Sequence, residues 1–339
     1  MNKPNIFDIA TKELHQDAFV TWLLSYADNR FKDSDQIIHQ CGKELIHELI
    51  LKSIPKFDED ISKVEAGRQW ENIDVWARVN DKYLIIIEDK TFSSFHSNQL
   101  SRYKEIALKW CESNNFLPPI CIYLKTGIAS NHNFKIVEEK GFQVFTRKNF
   151  LKILNRYNHS KNDIFQDFLK RLNRLEDLNN QFTDKKIGEW RNEDWQGFYK
   201  YLDDEINIVN WKYVNNQNGG FWNAVLNWEY WGIYPFYLQI EQGNICFKLS
   251  TDPIDVDLPK DLNKSILRNE LYKKVIADAK EKGLEEIKRP QRFGYGKYMT
   301  VAIIKRTDWL GLNDDYLNMD KVLSNIKTYI DFLNGLLKK

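Results

Sequence analysis

Residues 71–90 read ENIDVWARVNDKYLIIIEDK, and this stretch decides the fold. It contains two strand-like runs, 72–79 and 83–87, separated by the turn signal Asn80-Asp81. The second run is continuously apolar and rich in isoleucine, which is typical of a strand buried on both faces. Three charged residues follow it directly: Glu88, Asp89 and Lys90. We therefore expect a buried sheet whose strand end carries ionisable side chains.

The charged residues of these two runs have the spacing of a metal site. Side chains two positions apart on a strand share a face, so Glu88 and Lys90 point one way and Asp89 the other. Pairing across the turn brings Asp74 of the first run beside Glu88. Two carboxylates, together with the main-chain carbonyl of Asp89 and waters, can hold Mg²⁺, which prefers oxygen ligands.

A divalent ion held at this point would activate a bound water and stabilise negative charge on phosphorus. Lys90 beside it can orient or deprotonate that water, or stabilise the transition state. The competing interpretation is a salt-bridged strand end, because short motifs also match by chance. Against it, lone charges directly after a buried apolar run are costly unless they are paired or liganded.

The first helical region, residues 6–27, offers a further carboxylate. Glu13 can add an acid to the metal site, with Asp17 as a competing candidate and surface charge as the plain alternative. His15-Gln16-Asp17 interrupts the apolar pattern of this region. We expect Asp17 to cap a second helical segment there.

A helix predicted at 97–113 carries a polar pair close to the charged strand end. Gln99 and Tyr103 are four residues apart and share one helix face, away from the apolar stripe that includes Leu100. An amide and a phenol can donate hydrogen bonds to a phosphate and so position a nucleic-acid backbone. The same pair is also typical of a solvated or half-buried helix face.

The order of elements predicts the architecture of the N-terminal half. Helices are expected at 6–27, 34–53, 97–113, 147–156 and 162–180. Strands are expected at 61–69, 72–79, 83–87, 120–124 and 142–145, with a loop through Gly127 and Asn131. Short turns predict an antiparallel meander, and the crossover helix allows the fourth strand to pair in parallel. The result is a mixed sheet flanked by helices, an α/β sandwich.

The polar segment Asn179–Asp184 is the expected boundary between domains 1–182 and 183–339. Beyond it, strands are expected near 221–231, 234–241, 244–249 and 298–305, and helices at 262–281 and 319–337, an α+β pattern. Asn218-Gly219-Gly220 predicts a hairpin turn, and Phe293-Gly294-Tyr295-Gly296 predicts a flexible loop. Six tryptophans crowd this half: Trp190, Trp195, Trp211, Trp222, Trp228 and Trp231. They can stack on bases, but packing is the favoured interpretation.

Composition limits the classes of protein that fit. The 339 residues are 42% hydrophobic and 29% charged, which permits two folded domains. A formal net charge of +1 gives no support to nucleic-acid binding, although a local basic channel stays open. The four cysteines lack metal-ligand spacing and are expected to be buried apolar residues. The sequence has no apolar leader and no run long enough for a membrane span, so a cytoplasmic location is expected.

Together, these residues resemble the PD-(D/E)XK nuclease superfamily. Asp74 matches the acid of the first motif, and Glu88-Asp89-Lys90 matches (D/E)-X-K. Gln99 and Tyr103 resemble the Q-x3-Y motif of the RecB-type exonuclease branch, and Glu13 resembles the acid of the first core helix. Residues 12–19 and 96–100 resemble the bacterial type 4 family of this superfamily. Ile73 replaces the proline of the first motif, a residue that is not a ligand.

This resemblance, carried by about residues 5–150, implies a restriction-endonuclease-like fold and hydrolysis of phosphodiester bonds. The implied catalytic residues are Asp74, Glu88, Lys90 and Glu13, and the implied ligands of Mg²⁺ or Mn²⁺ are Asp74, Glu88, Glu13 and the Asp89 carbonyl. Gln99 and Tyr103 are the implied nucleic-acid contacts.

The implied partner is nucleic acid, DNA before RNA, and no membrane. A homodimer fits the resemblance, because many enzymes of the superfamily pair two sites to cut both strands. Members often serve in defence or repair. Two alternatives stay open: a nuclease fold that binds nucleic acid or a protein without hydrolysis, and an effector gated by its C-terminal domain.

Overall fold

The computed structural model describes residues 4–93, 98–215, 219–294 and 296–338. The chain divides into two compact units, Met1–Ala129 with Asn133–Asp177, and Ser130–His132 with Leu178–Lys339. His96, Ser97, Asn218 and Tyr295 lie outside the described residues, so the expectations placed on them stay predictions.

In the described residues, the first unit contains a five-stranded sheet in the order β1-β2-β3-β4-β5. The strands are β1 Val64–Trp70, β2 Ile73–Val79, β3 Tyr83–Lys90, β4 Ile120–Lys125 and β5 Gln143–Thr146. The first three are antiparallel, and β4 and β5 pair in parallel. This mixed sheet, flanked by helices, confirms the predicted α/β class and the crossover before the fourth strand.

The helices of this unit are α1 Ile6–Ile9, α2 Glu13–Tyr26, α3 Gln36–Leu51, α4 Gln99–Asn114, α5 Asn131–Glu139, α6 Arg147–Leu154 and α7 Asp163–Asn180. Both α5 and α7 run across the division between the units. The predicted loop through Asn131 is wrong, because α5 begins there. This helix buries Val137 as its core residue, so its sequence carries little apolar periodicity.

The prediction that Asp17 caps a second helical segment is also wrong. The chain breaks between α1 and α2, and α2 runs through Gln16 and Asp17 without interruption. Both of these polar side chains are buried, which explains why they interrupt the apolar pattern without ending the helix.

Strand β3 is buried along its whole length, and the two faces of the sheet pack into separate cores. Ile85 and Ile87 join the core formed with α2 and α3, whereas Leu84 and Ile86 join the core formed with α4. Alternation along the strand therefore places Glu88 and Lys90 on the α4 face and Asp89 on the other.

In the described part of the second unit, a six-stranded sheet has the order β11-β10-β9-β7-β6, and β8 pairs with β9. The strands are β6 Asn210–Val214, β7 Phe221–Val225, β8 Glu229–Trp231, β9 Tyr234–Glu241, β10 Asn244–Ser250 and β11 Tyr298–Ile304. The helices are α8 Asn192–Ile206, α9 Lys264–Glu281, α10 Arg306–Trp309 and α11 Met319–Leu337. The sequence predictions missed α8 and β6 and joined β7 and β8 into one strand.

The tryptophans of this unit support the packing interpretation in part. Trp190 and Trp211 are buried, whereas Trp195, Trp222, Trp228 and Trp231 are half-buried. All four cysteines are free and buried, as predicted. Across the described residues, every helix is too short or too polar to cross a membrane.

Candidate active site

The start of β2 and the end of β3 bring the candidate residues together. Val75 lies opposite Ile87 in the antiparallel register, so the next residues, Asp74 and Glu88, leave the paired segment at the same edge. The Asp74 carboxylate accepts a hydrogen bond from the backbone N–H of Asp89 at 3.0 Å. The acid of one strand is therefore fixed against the strand that carries the others.

The Lys90 ammonium lies at the centre of this group. Its Nζ is 3.3 Å from Asp74 Oδ2, forms an ion pair with Glu88, and donates to the main-chain carbonyl of Asp89 at 3.1 Å. The Lys90 and Glu88 residues are 8% and 1% exposed. One cation thus contacts two carboxylates and a carbonyl in a nearly dry environment.

The electrostatics of the group are those of crowded, buried acids. Burial, and then the charge of Asp74, raise the pKa of Glu88 to about 8. Burial opposes the charge of Lys90, but Glu88, Asp74 and Glu13 outweigh it and raise the pKa of the ammonium. Among the described residues, the ionised Glu88 carboxylate meets no hydrogen-bond donor besides Lys90.

These residues fit a divalent ion in their donor chemistry. Two carboxylates and a carbonyl already surround one cation, and oxygen ligands of this kind are those that Mg²⁺ and Mn²⁺ take. In the described chain, no three Asp, Glu, His or Cys side chains converge closely enough to form a site by themselves. The Asp89 carbonyl and water would therefore have to complete the ligand set.

A type 4 family model of the PD-(D/E)XK nuclease superfamily matches residues 4–226. The chain belongs to this superfamily. The match confirms the resemblance and extends beyond the motifs, through α8 and into β7. No curated protein and no solved structure matches the chain.

In this PD-(D/E)XK protein, Glu13 lies at the first position of α2 and holds the chain just after β3. Its carboxylate accepts from the backbone N–H of Thr91 at 2.7 Å and from the Ser93 hydroxyl at 2.8 Å. Burial opposes ionisation, but the hydrogen bonds and the charge of Lys90 outweigh it and lower the pKa of Glu13. Glu13 is thus ionised near Lys90 and bonded to the chain that follows it.

The Asp89 side chain faces the other side of the sheet and forms a buried polar group with α2. Gln16 Nε2 donates to Asp89 Oδ1 at 2.5 Å, and the Thr126 hydroxyl donates to Gln16 Oε1 at 2.8 Å. Burial, reinforced by their mutual contact, raises the pKa of Asp89, and burial raises the pKa of Asp17 to about 6. The group anchors the end of β3 from below.

The predicted polar face of α4 is wrong for one of its two residues. Tyr103 is 3% exposed and packs in the same core as Leu100, Ala107 and Cys111. Gln99 Nε2 donates to the Tyr103 hydroxyl at 3.1 Å, so the pair does exist as a unit. A four-residue spacing places two side chains on one face, but the packing of the helix decides how far that face is covered.

Sequence reasoning missed several residues that support this edge. Lys125 of β4 pairs with Lys90 in the parallel register and donates to the Ser93 carbonyl at 2.8 Å. Burial lowers its pKa to about 8. Arg147 donates to the Thr126 carbonyl at 2.9 Å and pairs with Glu176. Polar residues at core-facing positions are the signal that could have revealed Gln16, but only the fold shows which ones meet.

Without divalent ions, the free energy of unfolding is expected to fall as pH rises from about 4.5 to about 8. The pKa of Glu88 is higher in the folded protein than its ordinary value of 4.5, so the unfolded state loses this proton first. Deprotonation in the folded state then costs on the order of 3 kcal/mol. Glu88→Gln is expected to remove most of this dependence.

Urea unfolding in EDTA at about pH 5 and about pH 8.5 tests this linkage. The comparison of wild type with Glu88→Gln cancels the other titrating groups. Equal pH slopes for the two proteins would contradict it.

Proposed function

We propose that this PD-(D/E)XK protein is a deoxyribonuclease that requires Mg²⁺ or Mn²⁺. The observation that carries the proposal is the position of the Lys90 ammonium, in contact with Asp74, Glu88 and the Asp89 carbonyl. These are the ligands and the lysine that metal-assisted hydrolysis of a phosphodiester needs at one place. The proposal assigns Asp74, Glu88 and the Asp89 carbonyl to the ion.

A divalent ion bound by these groups supplies positive charge for the phosphoryl oxygens and lowers the pKa of a coordinated water. Lys90 then turns its ammonium from the carboxylates towards the substrate, where it stabilises the charge that develops on the phosphoryl group. Glu13 is assigned the position of Lys90, because it binds the chain at Thr91 and Ser93. It is also the third acid that would face the ion through water.

Gln99 and Tyr103 are proposed to bind the phosphate backbone next to the scissile bond. Their hydrogen bond orients the amide and phenol as one unit at the N-terminal end of α4. DNA is proposed before RNA because these two residues match the Q-x3-Y motif of RecB-type exonucleases. We further propose residues 183–339 as an accessory domain and a homodimer as the acting form.

A cleavage assay tests the proposal on linear, circular and single-stranded DNA and on RNA, with Mg²⁺, Mn²⁺ or EDTA. Metal-dependent cutting of DNA by the wild type, lost in Glu88→Ala, is the expected result. Lys109→Ala is the matched control, because Lys109 pairs with Glu105 on the exposed side of α4.

Cutting of RNA but not DNA would overturn the choice of substrate. Binding of nucleic acid without any cutting would favour the non-hydrolytic alternative. Sedimentation of the full chain at several concentrations tests the homodimer, and a monomer that cuts both strands would refute it.

A further inference from the structure

A pocket outside the carboxylate group opens in the first unit, with a volume of about 210 Å³. Its lining is unusually aromatic: Trp70, Trp76, Arg78, Leu84 and Trp110. These residues come from β1, β2, β3 and α4, so the sheet and its crossover helix both form the walls. None of them has a part in the proposed hydrolysis.

The rings are held in place by close backbone and ring contacts. Trp76 lies flat over Gly67, where an added Cβ atom would come within 2.5 Å of the indole. Trp110 packs edge-on against Trp70, with ring centroids 5.9 Å apart and planes at 75°. The three indoles are half-buried, so each keeps ring surface available at the pocket.

The charge of the pocket favours a neutral, flat ligand over a phosphate. The Arg78 guanidinium lies 5.4 Å from the Trp76 ring centroid and 5.8 Å from that of Trp110. It also pairs with Glu65, so its charge is already met by a carboxylate. Indole rings and a guanidinium plane are the groups on which unstacked nucleobases stack in proteins.

The pocket is also placed beside the proposed site of cleavage. Trp76 is two residues from Asp74 on β2, which is about 7 Å along the strand, and alternation puts both on one face. Trp70 pairs with Ile73, the residue before Asp74. A strand whose phosphate lies at Asp74 therefore has a neighbouring base within reach of the indoles.

We propose that this pocket receives an unstacked nucleobase of the nucleic-acid strand whose phosphodiester lies at Asp74 and Glu88. The inference rests on the proposed function, because it takes a nucleic-acid strand as the ligand. A base in a duplex is stacked on both faces, so the strand must be single or locally opened to enter. The shared chemistry is that of a nucleobase, from DNA or RNA.

The test uses the full chain in EDTA, where binding is measured without cleavage. Fluorescein-labelled single-stranded oligonucleotides of DNA and of RNA carry an abasic site at each position in turn, and anisotropy gives the Kd. In the wild type, one abasic position is expected to weaken binding about tenfold. Trp110→Ala is expected to weaken binding of the intact strand by a similar factor and to become insensitive to that position.

Two further variants keep the test decisive. Arg78→Ala removes a pocket wall without emptying the helix–sheet contact, and is expected to reduce the abasic effect if Trp110→Ala does not fold. Trp22→Phe, on α2 against Phe19 and Tyr26, is the control and should keep the wild-type profile.

A flat abasic profile in the wild type, or an unchanged profile in both pocket variants, would overturn the inference. Either result would leave metal-dependent cleavage intact, because no metal enters the measurement. An abasic effect in a protein that never cuts would support the pocket and refute hydrolysis. The oligonucleotide series that shows the effect identifies the strand as DNA or RNA.

Discussion

Replacing Lys90 by alanine is expected to lower kcat for phosphodiester cleavage by about 10²–10³-fold. The side chain is the cation that contacts the two candidate ligand carboxylates and the Asp89 carbonyl. Because its ammonium occupies the same oxygens as a divalent ion would, its removal should leave ion affinity unchanged or increased. Cleavage kinetics and calorimetric titration with Mn²⁺ measure the two effects separately.

Asp74→Ala provides the contrast to this result. It removes a proposed ligand, so both cleavage and ion affinity are expected to fall together. It also frees the Asp89 N–H, so its melting temperature must be compared with that of the wild type. If Lys90→Ala lost ion binding as Asp74→Ala does, the assignment of Lys90 as a group that acts on the substrate would be wrong.

Gly127→Ala is expected to lower the free energy of unfolding by about 3 kcal/mol. A Cβ atom at this position would come within 1.8 Å of the Thr91 carbonyl oxygen, a backbone atom that no rotamer change can move. Thr91 follows Lys90 directly and receives the Glu13 carboxylate through its N–H. The end of β3 must therefore shift, and a loss of cleavage of more than about tenfold should accompany the loss of stability.

Urea unfolding and cleavage rates, measured on the same preparations, test this expectation. Gly296→Ala is the control, because an added Cβ atom there has no neighbour within 4 Å. Wild-type stability in Gly127→Ala would mean that the chain after β4 can move away from Thr91 without cost. Wild-type cleavage with reduced stability would mean that Lys90 keeps its position despite the shift.

The local signals predicted β2 and β3 closely, because a buried run of isoleucines and a tight turn are properties of neighbouring residues. Asn80 and Asp81 take the positive φ angles, 52° and 50°, that such a turn requires. The helix α5 was missed for the opposite reason, since its short sequence presents almost no apolar stripe. The break between α1 and α2 was misplaced because buried polar residues look like a solvent-exposed interruption.

The candidate site divides along the same line. Alternation along β3 was enough to predict that Glu88 and Lys90 share a face, and the turn was enough to bring Asp74 beside them. The burial of Tyr103 was not predictable, because the side of α4 that meets the sheet depends on the packing of the whole helix. The roles of these residues stay proposals until the variants are measured.

The sequence by itself determined the mixed sheet and the order of its strands, because hydrophobic periodicity and turn residues act over a few positions. It also determined which acids and which lysine end the central strands. Only the tertiary structure decided that Gln16 and Asp17 meet Asp89, that Lys125 lies next to Lys90, and that Trp70, Trp76 and Trp110 surround one pocket. Such contacts join residues far apart in the chain, and their geometry follows from packing between elements, which no local pattern encodes.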